Sequence, residues 1–187
     1  RSADFYTTLS RRPASTEYQS WQSSTVSGSK MDEHRAVELL KKLKGDLSSI
    51  DARIALLWYS APETTPTMST IHANQLEWLI RNVPDHATLA TPPAMVDRSN
   101  ENGRAEYERL RALWLEQISD KPDNDAVVAN ATYYLRLGDA EKAEQLLLAA
   151  IPKVSGAAAW LGELYAYSIL SVTKFDPRTG LPVAFDS

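Results

Sequence analysis

The sequence predicts an all-α protein of about seven short helices paired as antiparallel hairpins, on three observations. Beyond residue 30, apolar residues recur at three- and four-residue steps, the period of a helix with one buried face. Gly, Asp, Asn and Pro interrupt those stretches at intervals too short for long helices. No run alternates apolar and polar residues for long enough to make a strand.

The first helix is expected from Met31. Ala36, Val37, Leu40, Leu43 and Leu47 make its inward stripe, with Lys41, Lys42 and Lys44 opposite. Glu38 and Lys42 stand four apart, in the orientation that modestly supports a helix. Gly45-Asp46 loosens the chain, and Ser49 is a candidate N-cap for a second helix carrying Ile50, Ile54, Leu57, Trp58 and Ala61. Pro62 and the Pro66 region are read as its end. A third helix is expected over 69–83, with Ile71, Leu76, Leu79, Ile80 and Val83 inward and Pro84 closing it. Residues 84–103 read as the longest loop of the body. Tyr107, Leu110, Leu113, Trp114 and Ile118 mark a fourth helix, ended at Lys121-Pro122-Asp123-Asn124.

Three segments follow from composition. Residues 1–30 form a Ser/Thr-rich arm, 12 of 30 residues being Ser or Thr. It carries Phe5, Tyr6, Leu9, Tyr18 and Trp21, too many large apolar groups for a pure linker, and reads as a flexible arm with a few anchors. The alternative is an arm laid against the body with Tyr18 and Trp21 filling a groove. Residues 31–171 form the helical domain, and 172–187 a turn-rich tail that either caps the last helix or leads on into a longer array.

From Asn124 the pattern acquires a signature. Val127, Ala131 and Tyr134 lie on one helix, Leu137-Gly138-Asp139 turns the chain, and Ala143, Leu147 and Ala150 lie on the next. Ala131 and Ala143 mark the closest approach of the two helices, Tyr134 and Leu147 fill the space beside them, and Gly138 suits the turn. The pattern restarts at Ser155 with Leu161-Gly162 and Tyr165; Ala131 to Gly162 spans 31 residues. Leu110, Trp114 and Pro122 read as the end of a preceding hairpin.

Residues 105–171 therefore resemble a tetratricopeptide repeat, whose period is about 34 residues. Leu113-Trp114-Leu115-Glu116-Gln117 and Pro122-Asp123-Asn124 further resemble bacterial repeat proteins of unassigned function. The resemblance implies a right-handed array of antiparallel hairpins, an α-solenoid. It also implies a protein partner held on the inner face by the first helix of each hairpin. By position that face holds Asp125, Val128, Ala129, Thr132, Leu135 and Arg136, then Ala159, Trp160, Glu163, Ala166 and Tyr167. Its mixed character suits a peptide or helix with some apolar surface. Val128 and Thr132 stand where chaperone-binding members carry the Lys and Asn that clamp a terminal carboxylate, which argues against that partner class.

Composition narrows the alternatives. A net charge of −4 gives no nucleic-acid footprint, and no apolar run nears the length of a membrane span. With no Cys, thiolate metal sites, disulfides and cysteine nucleophiles are excluded. His34, His72 and His86 have no metal-ligand spacing, and neither a Gly-x-Ser-x-Gly elbow nor a phosphate loop occurs. No catalytic residue, metal or cofactor is expected. The leading expectation is a protein-binding scaffold, the second an exported carbohydrate-binding protein using groove aromatics, and the third an enzyme centred on the 84–103 loop. The chain starts with Arg, as expected where a natural start has been removed, and the reading leans to an exported, periplasmic protein.

Overall fold

The structure, a computed structural model, describes residues 31–61, 65–96, 98 and 101–172, with no side chains at 170–172. The arm at 1–30 with its aromatic anchors, and the tail from 173, lie outside the described residues. Among those residues the chain is all-helical, with seven α-helices and no strand. They are α1 (Glu33–Gly45), α2 (Ile50–Ser60), α3 (Pro66–Asn82), α4 (Glu101–Asp120), α5 (Asp125–Leu135), α6 (Ala140–Ala150) and α7 (Ala157–Val172). No helix is long and apolar enough to cross a membrane. The described chain divides into two compact units, residues up to Leu110 and residues from Arg111, so the division falls within α4.

In the first unit α2 is the central helix. Ala52, Ile54, Ala55, Leu56 and Leu57 are all buried, so α2 is covered around most of its circumference by α1 and α3. Asp32 caps α1 by accepting from Arg35 N, whereas Ser49 occupies the N-cap position of α2 without a side-chain bond. Pro66 does not extend the break before the third helix: it is the first residue of α3, with Thr65 accepting from Met68 N. A proline there lacks only a donor that the first helical turn could not have used.

The 84–103 segment is packed down by two short 3₁₀ turns, Ala87–Ala90 and Pro92–Ala94, which bury Thr88, Leu89, Pro93 and Ala94. His72, 1% exposed on α3, donates from Nε2 to Pro93 O at 2.7 Å and so ties that segment to the helix. The remainder, 101–103, already belongs to α4.

Arg53 is the buried charge of this unit. Its Nε and Nη2 donate to Leu47 O at 3.3 and 2.8 Å, and Nη1 donates to Gln75 Oε1 at 2.9 Å. The guanidinium lies 4.0 Å over the Trp78 ring, and burial draws its pKa down from the usual value. One side chain thus fixes the α1–α2 connection against α3. On the opposite flank of α3, Glu77 accepts from Arg81 at 3.0 Å and from Arg109 of α4. Burial alone would raise the Glu77 pKa, but the two guanidinium partners together hold it below the usual carboxylate range.

The second unit comprises α4 from Arg111, then α5, α6 and α7. Ala131 and Ala143 are fully buried, with Tyr134 and Leu147 at 1% exposure beside them. The Trp114 and Tyr134 rings meet at 6.5 Å with a 41° tilt. Asn124 caps α5 by accepting from Ala126 N and Val127 N. Asp139 uses one oxygen to cap α6 at Lys142 N and the other to accept from Arg111 Nε at 2.7 Å. Leu135 O accepts from both Gly138 N and Asp139 N, which closes the turn. Gly162 departs from expectation, because an added Cβ would meet nothing within 4 Å. Its small size marks no close helix contact among the described residues.

Arg53→Met keeps the apolar stem and strands the Leu47 and Gln75 acceptors. Urea denaturation should show a loss of about 2 kcal/mol, as for buried acceptors left without donors. A loss below about 0.5 kcal/mol, the range of ordinary surface changes, would deny Arg53 this structural role.

Candidate functional site

Residues spaced three and four apart on α5 and α7 share one face of the second unit. Because α5 packs against both α6 and α7, three of its expected face residues turn inward. Val128 and Thr132 are 2% and 4% exposed, and Thr132 Oγ1 donates to Val128 O at 2.7 Å. Leu135 is fully buried. Neither Val128, Thr132 nor Leu135 presents a side chain to a partner. The repeat position puts these three on the inner face, but here α6 and α7 together enclose their side chains.

The other expected residues divide between support and contact. Asp125, half-buried in the first turn of α5, accepts from Ser155 Oγ at 3.0 Å and so ties α5 to the residues before α7. Ala129 is half-buried, while Ala159 and Ala166 are exposed. Trp160 is half-buried against the core of Val128, Leu135, Ala143, Leu147 and Leu164. Its ring lies over Gly156, where an added Cβ would fall 2.4 Å from the indole. That glycine is required by close approach, not by a turn.

Arg136, Glu163 and Tyr167 are brought together. The Arg136 guanidinium lies 3.8 Å from the centre of the Tyr133 ring and 5.2 Å from that of Tyr167. Its Nε is buried without a hydrogen-bond partner. Among the described residues, no hydrogen bond or ion pair engages any of its donors. Glu163 stands beside it: desolvation of its carboxyl raises the pKa, and the Arg136 charge pulls it back in part. Tyr133 was absent from the expected face. The spacing of Ala129, Tyr133 and Arg136 at i, i+4 and i+7 was the signal that places it there.

Arg136, Tyr133 and Tyr167 therefore form a rigid cation with aromatic sides and unspent donors. Such a group accepts a carbonyl or carboxylate oxygen in the plane of the guanidinium. The other candidates serve the fold. His72 is committed to Pro93, His86 Nδ1 accepts from Thr88 N at 3.2 Å, and His34 lies 3.9 Å from Glu38 on the surface of α1. Trp78 is covered by Arg53, and Trp114 is 1% exposed. Comparison with protein-family models, with curated proteins and with solved structures found no match to this chain.

Two outcomes follow. Gly156→Ala forces the Trp160 ring off its seat and should cost about 1–3 kcal/mol, as overpacking does, with a red shift in tryptophan emission. Unchanged stability would show that the ring moves freely. For Glu163 the folded-state pKa lies above the unfolded one, so its contribution to stability is complete below the unfolded pKa. It is lost as pH rises through the folded pKa. Glu163→Gln should therefore gain on the wild type as pH rises from about 4 to about 7, starting near the usual glutamate pKa of ~4.3. Because Glu163 keeps much of its surface in water, the gain should be small. A difference constant with pH would refute the shift.

Proposed function

We propose that the chain is a helical-repeat scaffold, a right-handed array of antiparallel hairpins of the tetratricopeptide kind. It binds a peptide or helix of a partner protein on the face shared by α5 and α7. The observation that carries this reading is the Arg136 guanidinium, held against two tyrosine rings with none of its donors spent on a described residue. Arginine and tyrosine are the side chains on which interface energy concentrates. Holding the guanidinium in place beforehand lowers the ordering cost of binding. A buried Nε without a partner is costly in the free protein, and an incoming acceptor would satisfy it. Glu163 stands beside this centre; Ala129, Asp125 and Trp160 extend the proposed face toward the N-terminal ends of α5 and α7, while Val128 and Thr132 support it from the core.

The array reading has separate support on the outer side of the second unit. Leu148, Ile151, Tyr165 and Ile169 are 51%, 42%, 44% and 63% exposed on or just after α6 and along α7. A further hairpin stacks on such a surface in repeat arrays.

Panning the whole chain against a displayed random-peptide library tests the proposal. It should yield binders whose affinity falls by about tenfold or more in Arg136→Ala and in Tyr167→Ala, the loss expected at an interface centre. Thermal melting of both variants should stay near the wild type. Failure to select any binder, or binders indifferent to both changes, would overturn the assignment to this face.

A further inference from the structure

The first unit carries a second surface, an open groove of about 510 Å³ beside α1, lined by Val37, Leu40, Lys41, Leu43, Lys44, Leu47, Arg53 and Gln75. Its apolar wall is the helical stripe that pattern alone would place in the core. Instead Val37 is 42% and Leu47 67% exposed, and Leu40 is half-buried. Within α1 only Ala36 and Leu43 are buried against α2. The helix therefore rolls one edge of its stripe out to water, and aliphatic side chains aligned along an edge favour contact with another apolar surface.

The polar groups around that wall are all cations or donors. Lys41 and Lys44 rise from α1 one turn apart, both exposed, and neither forms an ion pair with a described residue. Glu38 influences Lys41, but its carboxylate is taken by Arg35 at 2.8 Å. At the floor Arg53 contributes charge, while its donors are spent on Leu47 and Gln75. Gln75 is 5% exposed, and its Oε1 faces Arg53, which turns the amide NH₂ away from that bond. No described residue accepts from that amide. No carboxylate of a described residue lines the groove.

We propose that this groove docks an acidic amphipathic helix of a partner protein. Aliphatic side chains spaced three and four apart would lie on Val37, Leu40 and Leu47. Carboxylates one turn apart on the same helix would reach Lys41 and Lys44, and an acceptor would meet the Gln75 amide. The other occupants fit less well. A small molecule would leave much of its surface in water in so open a trough, whereas binding pockets enclose most of a ligand. A second copy related by a two-fold axis would bring Lys41 and Lys44 against their own kind. The chain's first 30 residues hold Arg1, Arg11, Arg12 and Lys30 against Asp4 and Glu17, so they share the sign of the rim.

The test uses the whole chain and two hydrocarbon-stapled helical peptides with Leu at i, i+3, i+4 and i+7, flanked by Glu in one and by Lys in the other. Titration calorimetry should show that only the Glu peptide binds, with affinity falling about tenfold or more as salt rises from about 0.05 to about 0.5 M. The charge-reversed double variant Lys41→Glu/Lys44→Glu should lose the Glu peptide and gain the Lys peptide. Both substitutions sit at exposed positions, and circular dichroism should confirm the fold. Arg136→Ala should leave this binding intact, which separates it from the α5–α7 face. Equal binding of both peptides, no binding of either, or no exchange of preference in the double variant would overturn the proposal. So would wild-type dimerisation abolished by Val37→Asp, which would assign the groove to a second copy.

Discussion

Helices of 11 residues, such as α2, α5 and α6, are shorter than the roughly 12–15 residues at which an isolated helix becomes even marginally stable in water. Each must therefore be held by its neighbours, and the rest of the architecture answers that requirement. The central helix of the first unit is buried around most of its surface. In the second unit α5 is gripped by both α6 and α7. Fully buried alanines at 131 and 143 give short helices contact along much of their length, where larger residues would hold them apart. Caps matter more for the same reason. Asn124 and Asp139 each satisfy amides at the start of an 11-residue helix, where two or three lost hydrogen bonds would be a large share of the total.

Much of this was legible in the residues. The period of Val127, Ala131 and Tyr134, followed by Gly138 and then by Ala143 and Leu147, placed the hairpin, its turn and its buried side chains before any coordinates. What resisted reading had identifiable physical causes. Pro66 is ambiguous in sequence because proline both stops a helix and starts one, and local residues do not separate the two. Val37 and Leu47 belong to an apolar stripe that reveals which face is apolar, not how much of it the neighbouring helix covers. Val128 and Thr132 are enclosed because α5 has two partners, which its own residues do not announce. Arg53 could not be found at all: a charged residue reads as surface, and only the fold brings Leu47, Gln75 and Trp78 around it. Gly162, expected at a helix contact, has open space before it.

Two arginines stacked on aromatic rings differ in how their guanidinium donors are used. Arg53 lies over Trp78 and donates from Nε, Nη1 and Nη2 to Leu47 and Gln75, three bonds within its own unit. The Arg136 guanidinium lies against Tyr133 and Tyr167, yet spends none of its own donors on a described residue. Their stacking is alike, so stacking does not distinguish their roles. The hydrogen-bond account does. A guanidinium whose donors are satisfied internally has nothing further to gain from a partner, and its removal is felt as lost stability. One with a buried Nε that no described residue satisfies carries a desolvation cost, which an incoming acceptor would offset under the proposed function. On that account the proposed recognition centre rests on the unspent guanidinium donors of Arg136, not on its aromatic neighbours.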